Sequence, residues 1–135
     1  MQQKGGAPLK SRAKSLIHRT VFPNGLKVVT ERMPHVRSVS LGVWIRAGSR
    51  TDTLGQLGMA HFIEHMLFKG TERRSVLEIA DSLESRGGLL NAFTTRDMTC
   101  YYASFLDEDI ELAVDVLSDI LNHSVLAPEE IEREK

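Results

Sequence analysis

Every residue from Gly58 to Phe68 is apolar or glycine except His61, Glu64 and His65. Positions i, i+3 and i+4 of a helix share one face, so a helix here gathers two imidazoles and a carboxylate on a single stripe. Being apolar almost all round, such a helix is expected to be buried. Burying its polar stripe without compensation would cost several kcal/mol. A divalent cation is the compact way to satisfy two facing histidines, and zinc, redox-inert and at ease with neutral imidazole, is the first candidate. Taken as the metal motif His-x-x-Glu-His, the stripe has His61 and His65 bind the metal through ring nitrogens, while Glu64 stays out of contact with it and handles protons. A water held by the metal has its pKa lowered to about 7, and a carboxylate beside it can take the proton as the water attacks a peptide carbonyl. The same acid can then protonate the leaving amine. The plain alternative is a buried helix whose histidines bond to backbone or to carboxylates.

The elements that must hold this stripe follow from periodicity and punctuation. Arg19–Phe22 and Leu26–Glu31 flank Pro23, Asn24 and Gly25, a turn signal, and read as a short hairpin. From Ser38 to Ala47 the chain alternates, with Val39, Leu41, Val43, Ile45 and Ala47 on one face, as in a strand with one covered side. Gly48–Gly55 is a polar connection into the motif helix, which Gly70 and Thr71 are expected to end. A second helix is predicted over Ser75–Ser85, closed by Gly87 and Gly88. Leu89–Thr95 and Thr99–Phe105 read as an antiparallel hairpin. Asp107–Asn122 returns to helical period, with Ile110, Ala113, Val114, Leu117, Ile120 and Leu121 on one face, and Pro128 opens a last helix. With no βαβ repeat and no glycine-rich phosphate loop, the fold class is α+β, a mostly antiparallel sheet with helices packed on one face.

Composition narrows the partners. A chain of 135 residues with 41% hydrophobic and 26% charged content is that of an ordinary globular protein, and a net charge of -1 gives nucleic acid no basic field to meet. The longest apolar run falls well short of a membrane span, so no membrane partner is expected. The single cysteine, Cys100, excludes an intrachain disulfide, fits a reducing compartment and reads as a small buried strand residue. Residues 1–30 contain Lys4, Lys10, Arg12, Lys14, Arg19 and Lys27 but no acid. There is no apolar core of a secretory signal, and Gly5, Gly6 and Pro8 suit a frayed tail better than an amphipathic presequence. Residues 1–14 are therefore expected to be a disordered basic lead, and 15–135 part of a single motif-bearing domain.

With these residues assembled, the sequence resembles the pitrilysin-type zinc peptidases, whose His-x-x-Glu-His motif is the inverse of the zincin signature. Within them it is similar to the subgroup typified by the β subunit of mitochondrial processing peptidase and its bacterial homologues. The resemblance runs from about Thr20 onward. It rests on Asn24-Gly25-Leu26, Ala47-Gly48-Ser49-Arg50, His61 to His65, Phe68-Lys69-Gly70-Thr71, Asn91-Ala92 with Thr94, and Thr99 with Tyr101.

The resemblance implies a zinc metalloendopeptidase domain, normally one of several that close around an extended or unfolded peptide. The partners it implies are that peptide and the rest of the peptidase or a homologous subunit. In such enzymes the strand matching Leu89–Thr95 is an edge to which substrate adds as a further strand, and Asn91 and Ala92 match positions that touch the substrate backbone, the alternative for Asn91 being a residue that satisfies the bend after Gly87 and Gly88. Tyr101 and Tyr102 read as sheet packing. The pattern completes its metal site with a glutamate roughly 75 residues beyond the second histidine, which falls past Lys135, so the chain looks like an N-terminal piece with little activity of its own. Glu129, Glu130, Glu132 and Glu134 approach that position, where one of them could substitute loosely, but none sits at family spacing. The resemblance places the protein in a bacterial cytoplasm or, alternatively, a mitochondrial matrix. A non-catalytic structural or presequence-binding paralogue is the competing function, against which the intact motif speaks. A metal-independent hydrolase or binding module using Cys100 or an acidic helix face has no further support in the sequence.

Overall fold

The computed structural model describes residues 16–134, so the expected basic lead over residues 1–14 lies outside the described residues. The chain falls into two compact units, one ending at Val36 and one beginning at Arg37. In the first, β1 (Ile17–Val21) and β2 (Lys27–Glu31) pair antiparallel, from Ile17 opposite Glu31 to Val21 opposite Lys27. Gly25 takes the turn at φ 88°, a left-handed conformation costing glycine little. Asn24 Oδ1 accepts the Leu26 N–H at 3.1 Å, the local bond that suits asparagine to turns.

The second unit is a three-stranded antiparallel sheet in the order β3 (Ser38–Ile45), β5 (Thr99–Leu106), β4 (Leu89–Thr94). Among the described residues four α-helices accompany it: α1 (Met59–Leu67), α2 (Val76–Glu84), α3 (Ile110–Asn122) and α4 (Pro128–Glu134). Strand alternation follows the predicted pattern through Val43, while Ile45, expected on the covered face, is exposed at the end of β3. Val39 and Leu41 of β3, Leu90 and Ala92 of β4, and Tyr101, Ala103 and Phe105 of β5 face one way. There they meet Ile79 and Leu83 of α2 and Ala113, Leu117 and Ile120 of α3. The architecture is α+β with helices on one face of the sheet, as expected. On the other face Trp44 and Phe93 flank Cys100 in register and meet edge to face, ring centroids 5.7 Å apart. Cys100 is accordingly buried, and burial pushes its thiol pKa up.

Helix ends are set by named residues. Ser75 and Glu78 form a capping box at the start of α2: the serine hydroxyl accepts from Glu78 N–H, and the Glu78 carboxylate accepts from Ser75 N–H at 2.7 Å. Gly87, at φ 76°, and Gly88 close α2 by donating to Glu84 and Leu83 carbonyls at 2.9 Å. The motif helix stops earlier than Gly70. Its last turn tightens at Phe68 and Lys69, whose N–H groups reach back only three residues to His65 and Met66.

In α3 the structure departs from the predicted face. Ile110 and Val114 are exposed, and the buried stripe is Ala113, Val116, Leu117 and Ile120, with Asp119 in it. Asp119 turns inward because cations wait there. Arg74 Nη1 donates to its Oδ2 at 2.6 Å and Thr71 Oγ1 to the same atom at 2.8 Å. Arg74 Nη2 and both Arg73 Nη atoms bond Asp115, one turn earlier. The connection from α1 to α2 is thus locked onto α3, and Ser124 adds a second tie by donating to the Leu67 carbonyl at 3.1 Å.

Candidate metal centre

The path to the site starts at the end of β3. Gly48 lies so close to the β4–β5 turn that a Cβ there would sit 2.5 Å from the Thr95 carbonyl oxygen. Ser49 and Arg50 donate N–H groups to Thr95 and Arg96 carbonyls at 3.1 and 2.9 Å, and Thr99 Oγ1 donates to the Ala47 carbonyl at 2.8 Å. From this anchored loop Asp52 reaches the start of α1. Its Oδ2 accepts Gly58 N–H at 2.9 Å and its Oδ1 accepts Ala60 N–H at 3.3 Å. Gly58 is the N-cap, has no side chain to cap with, and α1 has no acid in its first turn. Asp52 therefore supplies from six residues upstream the acceptor and negative charge that a helix start wants. Replacing Asp52 by alanine is expected to lower stability by about 1 kcal/mol, the usual loss on removing a cap. Equilibrium denaturation checks this, and an unchanged midpoint would show the bonds to be idle.

On α1 the three predicted side chains meet. Single donor atoms of His61, Glu64 and His65 lie within 4.8 Å of one another, and the two imidazole centroids are 4.5 Å apart. Among the described residues this is the one group of three or more His, Cys, Asp or Glu close enough to hold a metal. The expected burial of the whole helix is corrected. Met59 and Ile63 are 39% and 43% exposed, both histidines are exposed, and only Glu64 and Met66 are buried. The apolar pattern is real, but in these residues only one side of α1 finds a sheet to cover it.

Glu64 carries the unusual feature. It is 9% exposed, and its Oε2 has no hydrogen-bond partner. Buried carboxylate oxygens are normally paired. Burial, and after it the charge of Glu64, push the Tyr101 hydroxyl pKa up to about 12, which marks Tyr101 as a near neighbour that stays a neutral phenol. Tyr101 otherwise packs as expected, its ring 6.1 Å from Phe68.

One of the acids approaching the missing position in the sequence meets the site by a contact that spacing did not show. Glu134 on α4 places Oε2 3.0 Å from His65 Nδ1 and Oε1 2.5 Å from Lys69 Nζ. The Lys69 hydrogen bond, and after it that of His65, hold the Glu134 carboxyl below its usual pKa. With Nδ1 so engaged, Nε2 of His65 is the nitrogen left for a metal, the arrangement in which a carboxylate orients a ligating imidazole. The fit to zinc is good in donor type: two imidazoles on one stripe, a carboxylate backing one of them, and an unpaired buried carboxylate oxygen beside both. A third protein ligand, which catalytic zinc usually has, is not among the three.

An open groove of about 580 Å³ runs alongside, lined by residues including Gly58, Met59, His61, Phe62, His65, Ile131 and Glu134. The other predicted contacts lie on β4, which ends the sheet and, among the described residues, has a neighbour on one side only. Asn91 is exposed and Ala92 half-buried, and Asn91 Oδ1 accepts the Ala92 N–H at 2.8 Å. No helix among the described residues is long and apolar enough to cross a membrane.

Residues 27–135 match the family model of insulinase (peptidase family M16). Over 132 residues the chain is 46% identical to an uncharacterized zinc protease of Mycobacterium leprae, a match covering 98% of this chain and 30% of that protein. Over 116 residues it is 50% identical to the mitochondrial-processing peptidase subunit beta of Lentinula edodes, covering 86% and 25%. Among solved structures, a protease from Helicobacter pylori is similar with a TM-score of 0.84 at 25% identity, over 89% of this chain and 29% of that one. The chain therefore spans less than a third of the length of these relatives.

Proposed function

We propose, because the chain belongs to the insulinase family of peptidases, family M16, that it carries the metal-binding and proton-transferring part of a zinc-dependent endopeptidase of processing type. The observation that supports this reading best is the clustering of His61, Glu64 and His65 donor atoms within 4.8 Å, with the Glu64 Oε2 buried and unpaired. His61 and His65 would hold zinc through ring nitrogens, with Glu134 fixing the His65 ring. Bound zinc supplies a water acidified to about pKa 7 and a pull on the substrate carbonyl. Glu64 receives the proton as the carbonyl is attacked and delivers it to the departing amine.

Substrate is an extended or unfolded peptide that adds to the free edge of β4, where Asn91 and Ala92 would meet its backbone. In a protein of the relatives' length, a glutamate roughly 75 residues past His65 completes the ligand set. A homologous domain or subunit would close over the bound peptide. The 135 residues alone are then expected to cleave weakly or not at all.

The test is metal removal from the full-length protein. One zinc per chain, loss of peptide cleavage on chelation and its return on adding zinc are expected. Cleavage that survives complete removal of zinc would sink the assignment, and zinc binding without cleavage would point to a non-catalytic peptide-binding subunit.

A further inference from the structure

The contact that orients His65 is itself held from behind. Glu134 divides its carboxylate between two partners, Oε2 at 3.0 Å from His65 Nδ1 and Oε1 at 2.5 Å from Lys69 Nζ. Lys69 stands just past the end of α1, its N–H bonded to the Met66 carbonyl at 3.1 Å, so its stem leaves from a fixed point on the helix that carries the site. Glu130 stands farther off, 3.9 Å from the ammonium, and accepts from Arg133 at 2.5 Å. Lys69 and Glu134 are only 28% and 22% exposed, so solvent and salt screen this pair less than an ion pair in open water.

A neutral imidazole has one donor nitrogen and one acceptor, and its partner decides which is which. Glu134 makes that choice for His65, and a glutamate has three rotatable bonds by which to lose its aim. A cation seated on the second oxygen removes that freedom. It also keeps the carboxylate an acceptor.

We propose that Lys69 is a positioning residue for the metal centre: by holding Oε1 of Glu134 it aims Oε2 at His65 Nδ1, and so fixes His65 with its proton on Nδ1 and its lone pair on Nε2. This rests on the reading that His61 and His65 hold a metal, but its first consequence is visible without one.

In metal-free protein the imidazole nitrogen chemical shifts report the His65 tautomer, with His61 as internal reference. The wild type is expected to carry the proton on Nδ1. Lys69→Met keeps the stem and removes the charge, and is expected to mix the two tautomers of His65 while leaving His61 unchanged. In the full-length protein the same variant should bind zinc roughly tenfold more weakly, at the lower end of the loss seen when a ligand's supporting partner is removed. Lys69→Arg should restore both tautomer and affinity. Lys69→Gln repeats the measurement should the methionine variant fold poorly. A neutral variant that keeps the wild-type tautomer and affinity overturns the proposal, as does an arginine variant that loses as much as the neutral ones. If the wild type bound no zinc and Lys69→Met still scrambled the His65 tautomer, the positioning role would stand and the metal reading would fall.

Discussion

Glu64→Gln in the full-length protein is expected to lower kcat on an extended peptide by about 10²–10⁴-fold, the contribution of a well-placed acid–base group, with zinc content unchanged. Stability of the zinc-free protein should stay level or rise. The Glu64 Oε2 has no hydrogen-bond partner in the fold, so the amide removes no bond that the native state relies on. It also replaces a sheltered charge by a neutral group of nearly the same shape, and a buried charge without a partner costs more than a buried amide. Function and stability thus pull in opposite directions at this residue, as they do where a fold keeps a destabilising group for its chemistry. The paired measurement separates the possible roles. Loss of zinc along with activity would make Glu64 a ligand, and loss of melting temperature along with activity would make it structural. Only collapse of kcat with both others preserved fits the proton-handling assignment.

The parts of the fold governed by local periodicity were legible in the sequence. Val39 and Leu41 alternate in β3 as they must to face one layer of helices, and Gly87 with Gly88 ends α2 where a left-handed residue is needed. The His61, Glu64 and His65 stripe was equally plain, since three residues within five fix their own geometry once the helix forms. Contacts across the chain were not legible. Glu134 stands 69 residues from His65 and Asp119 48 from Thr71, and spacing within one element says nothing about such meetings. Asp119 did leave a trace: an acid between Leu117 and Ile120 on an apolar stripe needs a buried cation, and Arg73-Arg74 was there to supply it. Counting only apolar positions put Ile110 and Val114 on the covered side and left Asp119 out. Asp52 was hidden for a related reason, because it caps α1 from across a loop instead of from the N-cap position.

The second large effect is expected at that aspartate. Asp119 has a side chain with 0% exposure and holds Arg74 at 2.6 Å and Thr71 at 2.8 Å through Oδ2, while its Oδ1 has no hydrogen-bond partner. Asp119→Ala takes away the buried one of Arg74's two carboxylate partners and leaves Asp115, so the expected cost is about 3 kcal/mol, the lower end of the loss on breaking a buried pair. The loss should far exceed that from Asp115→Ala, whose side chain is 44% exposed and whose charge solvent can replace. Burial alone would raise the Asp119 carboxyl pKa, but the hydrogen bonds from Arg74 and Thr71, and then the charges of Arg74 and Arg73, outweigh it and hold the pKa below the ordinary value. A folded-state pKa lower than the unfolded one means that the unfolded chain binds the proton first on acidification. The contribution of Asp119 is therefore full above the ordinary aspartate value of about 3.9, shrinks below it and is gone once pH has fallen through the depressed folded value. Denaturation midpoints of wild type and Asp119→Asn measured from neutral pH downward should run parallel above pH about 5 and converge in acid. Curves that stayed parallel into strong acid would mean that Asp119 acts through shape and not charge. The lock between α3 and the end of the motif helix would then have to be assigned to Thr71 and Ser124.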